Sequence, residues 1–189
     1  MTHVGIDFGA KKAGTTVICA LQESSWFIRQ SSSGIDADTF LEKEIVRLNP
    51  DYIFIDAPLS LPRVYSQEFM DPEADFHYRE CDRLAGAMSP LFLGGLTARA
   101  IRLRSIWESS GIHVLETYPK LMAAELKAVT YKKDLDLFRK TLNQFLDKAL
   151  PGLQSWHQAD ACLAWLSGFR YLEGNALVIG DKKEGQIIY

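Results

Sequence analysis

Val4-Gly5-Ile6-Asp7-Phe8-Gly9 and Tyr52-Ile53-Phe54-Ile55-Asp56-Ala57-Pro58 are the two stretches whose reading decides the fold. Each reads as a short strand with an acid at its exit. The run Ile53-Phe54-Ile55 is apolar on both faces, the pattern of a strand buried on both sides of a sheet. A carboxylate at the end of such a strand is costly unless something compensates its charge, and a divalent cation is one such partner. If the two strands are neighbours, Asp7 and Asp56 converge on one point.

Working outward, residues 3–8 read as the first strand and Ala10–Ala13 as a turn. Thr15–Leu21 and Trp26–Gln30 follow as β-prone runs close enough to form an antiparallel meander. Asp38 is placed to cap a helix over Thr39–Leu48, where Phe40, Leu41, Ile45 and Leu48 recur at helical spacing. Pro50 and Asp51 stop it, and Tyr52–Asp56 is the fourth strand. A second crossover ends in a fifth strand, Ile112–Glu116. Helices are expected over Lys120–Val129, Leu135–Leu150 and Gln158–Leu172. The sum is an α/β protein with a mixed five-stranded sheet, read as one domain over 1–189 with no internal repeat. The segment from Ala57 to Asp75, with Pro58, Pro62 and Pro72 and no clean period, is a long insertion after the fourth strand. It starts beside Asp56, so it is expected to border the site, as a lid or as a structural excursion.

Composition narrows the function classes. Of 189 residues, 47% are hydrophobic and 24% charged, an ordinary globular balance that argues against disorder. A net charge of −3 argues against a protein that coats nucleic acid non-specifically, so contact with a polyanion needs a local basic patch. Cys19, Cys81 and Cys162 are scattered and form no CxxC, which suggests neither a zinc site nor a disulfide framework. No run approaches the ~18 apolar residues of a membrane span, and no leader pattern opens the chain. A cytoplasmic protein is the expectation. GxxxxGK[ST] is absent, which excludes a P-loop enzyme. The Gly-Ile-Asp-Phe-Gly turn followed by Thr15 and Thr16 suits a phosphate-binding hairpin of the actin and sugar-kinase type. Those enzymes repeat the sheet, and 189 residues leave no room for the repeat.

Four segments carry a family resemblance. Ile55-Asp56-Ala57-Pro58-Leu59-Ser60-Leu61-Pro62, Arg79-Glu80-Cys81-Asp82-Arg83, Glu116-Thr117-Tyr118-Pro119 and Asp160-Ala161 resemble a largely uncharacterised family described as predicted nucleases with a ribonuclease H-like fold. The resemblance implies that the first and fourth strands are adjacent and parallel, with Asp7 and Asp56 side by side. It also implies a phosphodiester or nucleic-acid substrate. Carboxylates so placed repel one another unless a cation lies between them. Two Mg²⁺ or Mn²⁺ ions held there would activate a water and stabilise the leaving oxygen.

The remaining candidates follow from spacing. Asp160, in the first turn of the last predicted helix, is the third metal ligand in our ranking, although the helix dipole also favours an acid there. On a helical projection it lies opposite the Cys162–Leu166–Phe169 stripe, so it need not face the sheet. Glu116, at the exit of the fifth strand, is its rival; its alternative is a surface pair with Lys120. Arg79 and Arg83, four apart, are expected to share a helix face that meets phosphate, as are Arg99 and Arg102, with Asp82, Glu80 and Glu108 offering ion pairs instead. Lys11 lies in the turn after Asp7 and is a further phosphate candidate beside a solvated role. His157, three residues before Asp160, suits either proton transfer or the start of the helix. Three functions stay open: a Mg²⁺- or Mn²⁺-dependent nuclease or phosphodiesterase, a nucleotide-binding or phosphate-transferring enzyme, and a catalytically inactive adaptor. The substrate and the oligomeric state are not legible.

Overall fold

The strand β1 (His3–Asp7) organises the molecule, because both of its neighbours and the longest helix pack on it. The computed structural model describes residues 1–66 and 74–189. β1 pairs antiparallel with β2 (Val17–Gln22), which turns through Glu23 and Ser24 into β3 (Ser25–Gln30). Glu23 and Ser24 both have positive φ (45° and 72°), the conformation that a two-residue hairpin loop needs to match the strand twist. Helix α1 (Ala37–Leu48) then crosses to β4 (Tyr52–Asp56), which lies parallel to β1 on its other side. Helices α2 (Glu80–Ala85), α3 (Pro90–Leu93) and α4 (Gly95–Ser109) lead to β5 (His113–Glu116), parallel to β4. The strand order is β3-β2-β1-β4-β5. This is the mixed five-stranded sheet that the ribonuclease H-like resemblance implies.

Alternation along the strands builds a core on each face. Val4, Ile6, Ile18, Ile53 and Ile55 pack with Leu41, Ile45, Leu103 and Trp107 of α1 and α4. Val17 and Cys19 pack on the opposite face with α5 (Pro119–Glu125), α6 (Leu135–Leu142) and α7 (Trp156–Leu172). Asp7 shares the parity of Gly5, and Asp56 that of Phe54, so both acids belong to the α7 face.

Several predicted boundaries move, each for a local reason. Asp36, not Asp38, caps α1: its carboxylate accepts from the amide of Asp38 at 2.9 Å. The helix after β5 stops at Glu125 because Lys127 turns left-handed (φ 53°). The amides of Lys127 and Ala128 then reach back to the carbonyls of Ala124 and Ala123, a Schellman stop. The helix expected over Leu135–Leu150 ends at Leu142. A single 3₁₀ turn, Asn143–Phe145, follows, and the side chain of Asn143 accepts from the amide of Leu150 at 2.8 Å. A C-terminal hairpin, β6 (Val178–Ile179) and β7 (Ile187–Ile188), was not foreseen; two-residue strands have no period to read. Ile188 bridges Thr117 and so extends β5. In the insertion after β4, Arg63–Ser66 form a 3₁₀ turn, while 67–73 lie outside the described residues. Among the described residues, no helix is long and apolar enough to cross a membrane.

Candidate functional site

Asp7 and Asp56 stand opposite each other in the parallel register of β1 and β4, where neighbouring strands run about 4.8 Å apart. The third acid arrives on α7. Its approach depends on Gly5, where a Cβ would come within 2.1 Å of the Trp165 amide nitrogen and 2.4 Å of the Ala161 carbonyl. Gly168 does the same against Phe54 of β4, at 2.3 Å from its ring. The helix thus lies on the bare backbone of β1 at Gly5 and on the Phe54 ring at Gly168, and the first turns of α7 overhang the strand ends. Ser155 caps that helix by accepting from the Gln158 amide at 3.2 Å.

There, His157 Nδ1 lies 2.7 Å from Asp7 Oδ2. Asp160 accepts from the Tyr131 hydroxyl at 2.8 Å and from Lys132 Nζ at 2.5 Å. Asp7 and Asp160 are buried, at 8% and 6% exposure. The projection left it open whether Asp160 faces the sheet; it had little to discriminate, because α7 has no solvent stripe in this part, where residues 159–168 are all buried. Asp56 differs from both neighbours. Among the described residues no hydrogen-bond donor reaches its carboxylate. Burial, then the charges of Asp7, Asp160 and Glu116, push its pKa well above the ordinary 3.8. Burial also raises the pKa of Asp7, against the pull of His157. The hydrogen bond to Asp7 in turn raises that of His157.

These features fit a hard divalent cation. Among the described residues Asp56 is unpartnered and Asp7 Oδ1 receives no donor, and all of the available ligand atoms are carboxylate oxygens, as Mg²⁺ and Mn²⁺ prefer. Lys132 is 45% exposed at its side chain and can swing off Asp160.

A second group of ligand-type atoms, from Cys81, Asp82 and Glu116, lies within 4.8 Å of one another. It already holds a cation. The guanidinium of Arg79 is wholly buried and donates to Asp82 Oδ1 and Glu116 Oε1 at 2.6 Å each, to Glu116 Oε2 at 2.7 Å and to Ser60 Oγ at 2.9 Å. Burial opposes its charge, but Glu116 and then Asp82 outweigh that and raise its pKa. Glu116 also accepts from the Leu59 amide at 2.9 Å. Two expectations are corrected here. Glu116 does not pair with Lys120 at the surface; its buried carboxylate accepts instead from Arg79 and the Leu59 amide. Arg79 does not share an exposed face with Arg83, because it is the N-cap of α2 and lies before the first helical turn.

The other cations are placed as follows. Arg83 is exposed, pairs with Asp75 and lies over the Tyr78 ring at 4.9 Å. Arg99 grips Asp38 (2.6 and 3.0 Å), donates to the Gly9 carbonyl at 3.1 Å and covers the Phe8 ring, which braces the turn after β1. Exposed Arg102 faces Glu42 at 3.7 Å, and Lys11 meets Asp36 at 3.1 Å.

A solved structure of similar shape is RuvC from Thermus thermophilus. The two chains are 12% identical, with a TM-score of 0.48 over 93% of this chain and 98% of that one. No family model matches the chain. No curated protein matches it either.

Tyr131 and Lys132 were missed by the sequence reading. They lie 29 and 28 residues before Asp160, in a turn where Lys132 has positive φ (59°), and no local pattern marks them.

Proposed function

We propose that the protein is a Mg²⁺- or Mn²⁺-dependent phosphodiesterase acting on nucleic acid, with Asp7, Asp56 and Asp160 as the metal-holding acids. The observation that carries this reading is the carboxylate of Asp56, unpartnered among the described residues, in register with Asp7 and crowded by Asp160. A bound divalent ion supplies charge stabilisation for the phosphate and a water of lowered pKa. The chain's own groups do the rest. His157 holds Asp7 through Nδ1 and, with its side chain 42% exposed, can exchange a proton with solvent at Nε2. Lys132, once released from Asp160, offers an ammonium to a phosphate oxygen. Exposed Arg83, Arg102 and Lys11 are paired with acids at the surface and can exchange those partners for the phosphates of an approaching polyanion.

The test is a panel of labelled single-stranded, duplex and branched nucleic acids with Mn²⁺, beside Asp7→Asn and Asp56→Asn. Mn²⁺-dependent cleavage by the native protein and none by the variants is the expected result. Equal cleavage by the variants would place the chemistry elsewhere. One observation favours an inactive adaptor instead: Lys132 already gives Asp160 a cation. Absence of Mn²⁺ binding by calorimetry would move that reading ahead.

A further inference from the structure

A cavity of about 230 Å³ opens directly beside Asp56, walled by Phe8, Met88, Leu96 and Tyr118. Asp56 thus belongs both to the acidic site and to the rim of this cavity. Thr117 lines it too. Its hydroxyl is buried, with the residue only 1% exposed, and has no hydrogen-bond partner among the described residues. The backbone around that hydroxyl is pinned, because the Thr117 amide donates to the Ile55 carbonyl at 2.9 Å and its strand bridges Ile188. A buried hydroxyl left without a partner costs about 1–3 kcal/mol, so a ligand able to satisfy it recovers that free energy.

We propose that this cavity takes one unstacked nucleobase of the substrate strand, next to the phosphodiester held at Asp7 and Asp56; the proposal rests on the phosphodiesterase reading above. Three observations select a base over other parts of a nucleotide. Asp56, Asp82 and Glu116 contribute carboxylates to the lining, while Arg79 is already committed to two of them and Arg99, over the Phe8 ring, to Asp38, so a phosphate is repelled. The walls are largely apolar and include two aromatic side chains, which suit a flat ring and not a sugar. The volume falls below the ~300 Å³ at which sites begin to enclose drug-sized molecules, and it suits a single ring system. A base has donors and acceptors along its edge, and either kind satisfies the Thr117 hydroxyl. Taking a base out of its stack costs least in a single strand or at a mismatch. The cavity therefore favours unpaired substrates over uniform duplex.

Nucleosides separate this proposal from the hydrolytic one, because they contain no phosphodiester and need no metal. Methyl-labelled methionine NMR on the intact, metal-free chain provides the readout. Met88 stands at the cavity lip, and Met122, fully buried in the other core, reports on folding. Millimolar adenosine, guanosine, cytidine or uridine is expected to shift the Met88 methyl and leave Met122 unmoved, while ribose 5-phosphate shifts neither. Thr117→Val should weaken the response about three- to tenfold, the worth of one hydrogen bond. Ala87→Leu and, as a bulkier filler, Leu96→Trp should abolish it. A Met88 signal silent to all four nucleosides overturns the proposal. So does a shift that survives both filling variants with Met122 unchanged, or one produced by benzyl alcohol and by no nucleoside. If Met88 responds and Mn²⁺-dependent cleavage is absent, the base pocket stands and the hydrolytic reading falls. Silence with cleavage intact removes the pocket alone.

Discussion

Asp56 ends β4 and Glu116 ends β5, one strand away, yet the two acids live under opposite rules. Glu116 shares the wholly buried guanidinium of Arg79 with Asp82, and every one of its short contacts is supplied by the chain. Asp56 has acids for neighbours and no donor among the described residues. Glu116 is the more deeply buried of the two and Asp56 is partly exposed, yet what separates them is whether the fold brings its own cation. A carboxylate cluster with an internal guanidinium is a piece of architecture. One without it is stable only at a cost in protonation, and that cost is what an external cation relieves.

The comparison can be broken most severely at Arg79. Arg79→Leu leaves Glu116 and Asp82 buried without their counter-charge, and should lower the free energy of unfolding by about 3–5 kcal/mol in a urea titration. A loss below 1 kcal/mol would mean that this cluster is not structural.

Asp56→Asn should act in the opposite sense. The metal-free protein keeps its melting temperature or gains a few degrees, while Mn²⁺, which at a hundredfold excess over its dissociation constant stabilises the native protein by about 2.7 kcal/mol, no longer does so. Melting curves with and without Mn²⁺ measure both. The pH dependence sharpens the same point. A carboxyl whose folded pKa lies above its ordinary 3.8 binds its proton more tightly when folded. Its contribution to metal-free stability therefore falls as pH rises from about 4 through the folded value and is flat above it. Asp56→Asn should remove that slope, and a slope unchanged in the variant would assign it to another group.

Lys132→Ala tests whether the internal ammonium on Asp160 competes with an ion. Calorimetry should find tighter Mn²⁺ binding by up to about tenfold, because the competitor is gone; weaker binding would make Lys132 a supporting group. The smallest effect belongs to Arg83. Its pair with Asp75 is at the surface, so Arg83→Ala should change stability by less than about 1 kcal/mol. It should also reduce the salt slope of nucleic-acid binding by about one unit if it meets a phosphate.

Much of the sheet was legible because its signals are local. Apolar runs of strand length, a terminal acid and a short meander marked the strands themselves; that the first and fourth are parallel neighbours, with Asp7 beside Asp56, was what the family resemblance implied. Asp160 was legible as a candidate but not in its direction, because a stripe has meaning only on a helix with a wet side, and this part of α7 has none. Arg79 was misplaced because the four-residue spacing to Arg83 assumes that both lie within one helix, and α2 begins one residue later. Tyr131, Lys132 and the Thr117 cavity are products of packing between distant segments, and nothing local encodes them.

Gly5 has a consequence for when the site exists. Asp7 and His157 are 150 residues apart in the chain, and they meet only because α7 lies against the bare backbone of β1. During synthesis the amino-terminal strands emerge first and can pair long before α7 is made. Until that helix docks, the nascent sheet displays two acids and lacks the third. An incomplete chain thus lacks the proposed cation site, and any capacity to act on a phosphodiester there would arrive in one late step of folding. A methyl group at Gly5 would strike at that step.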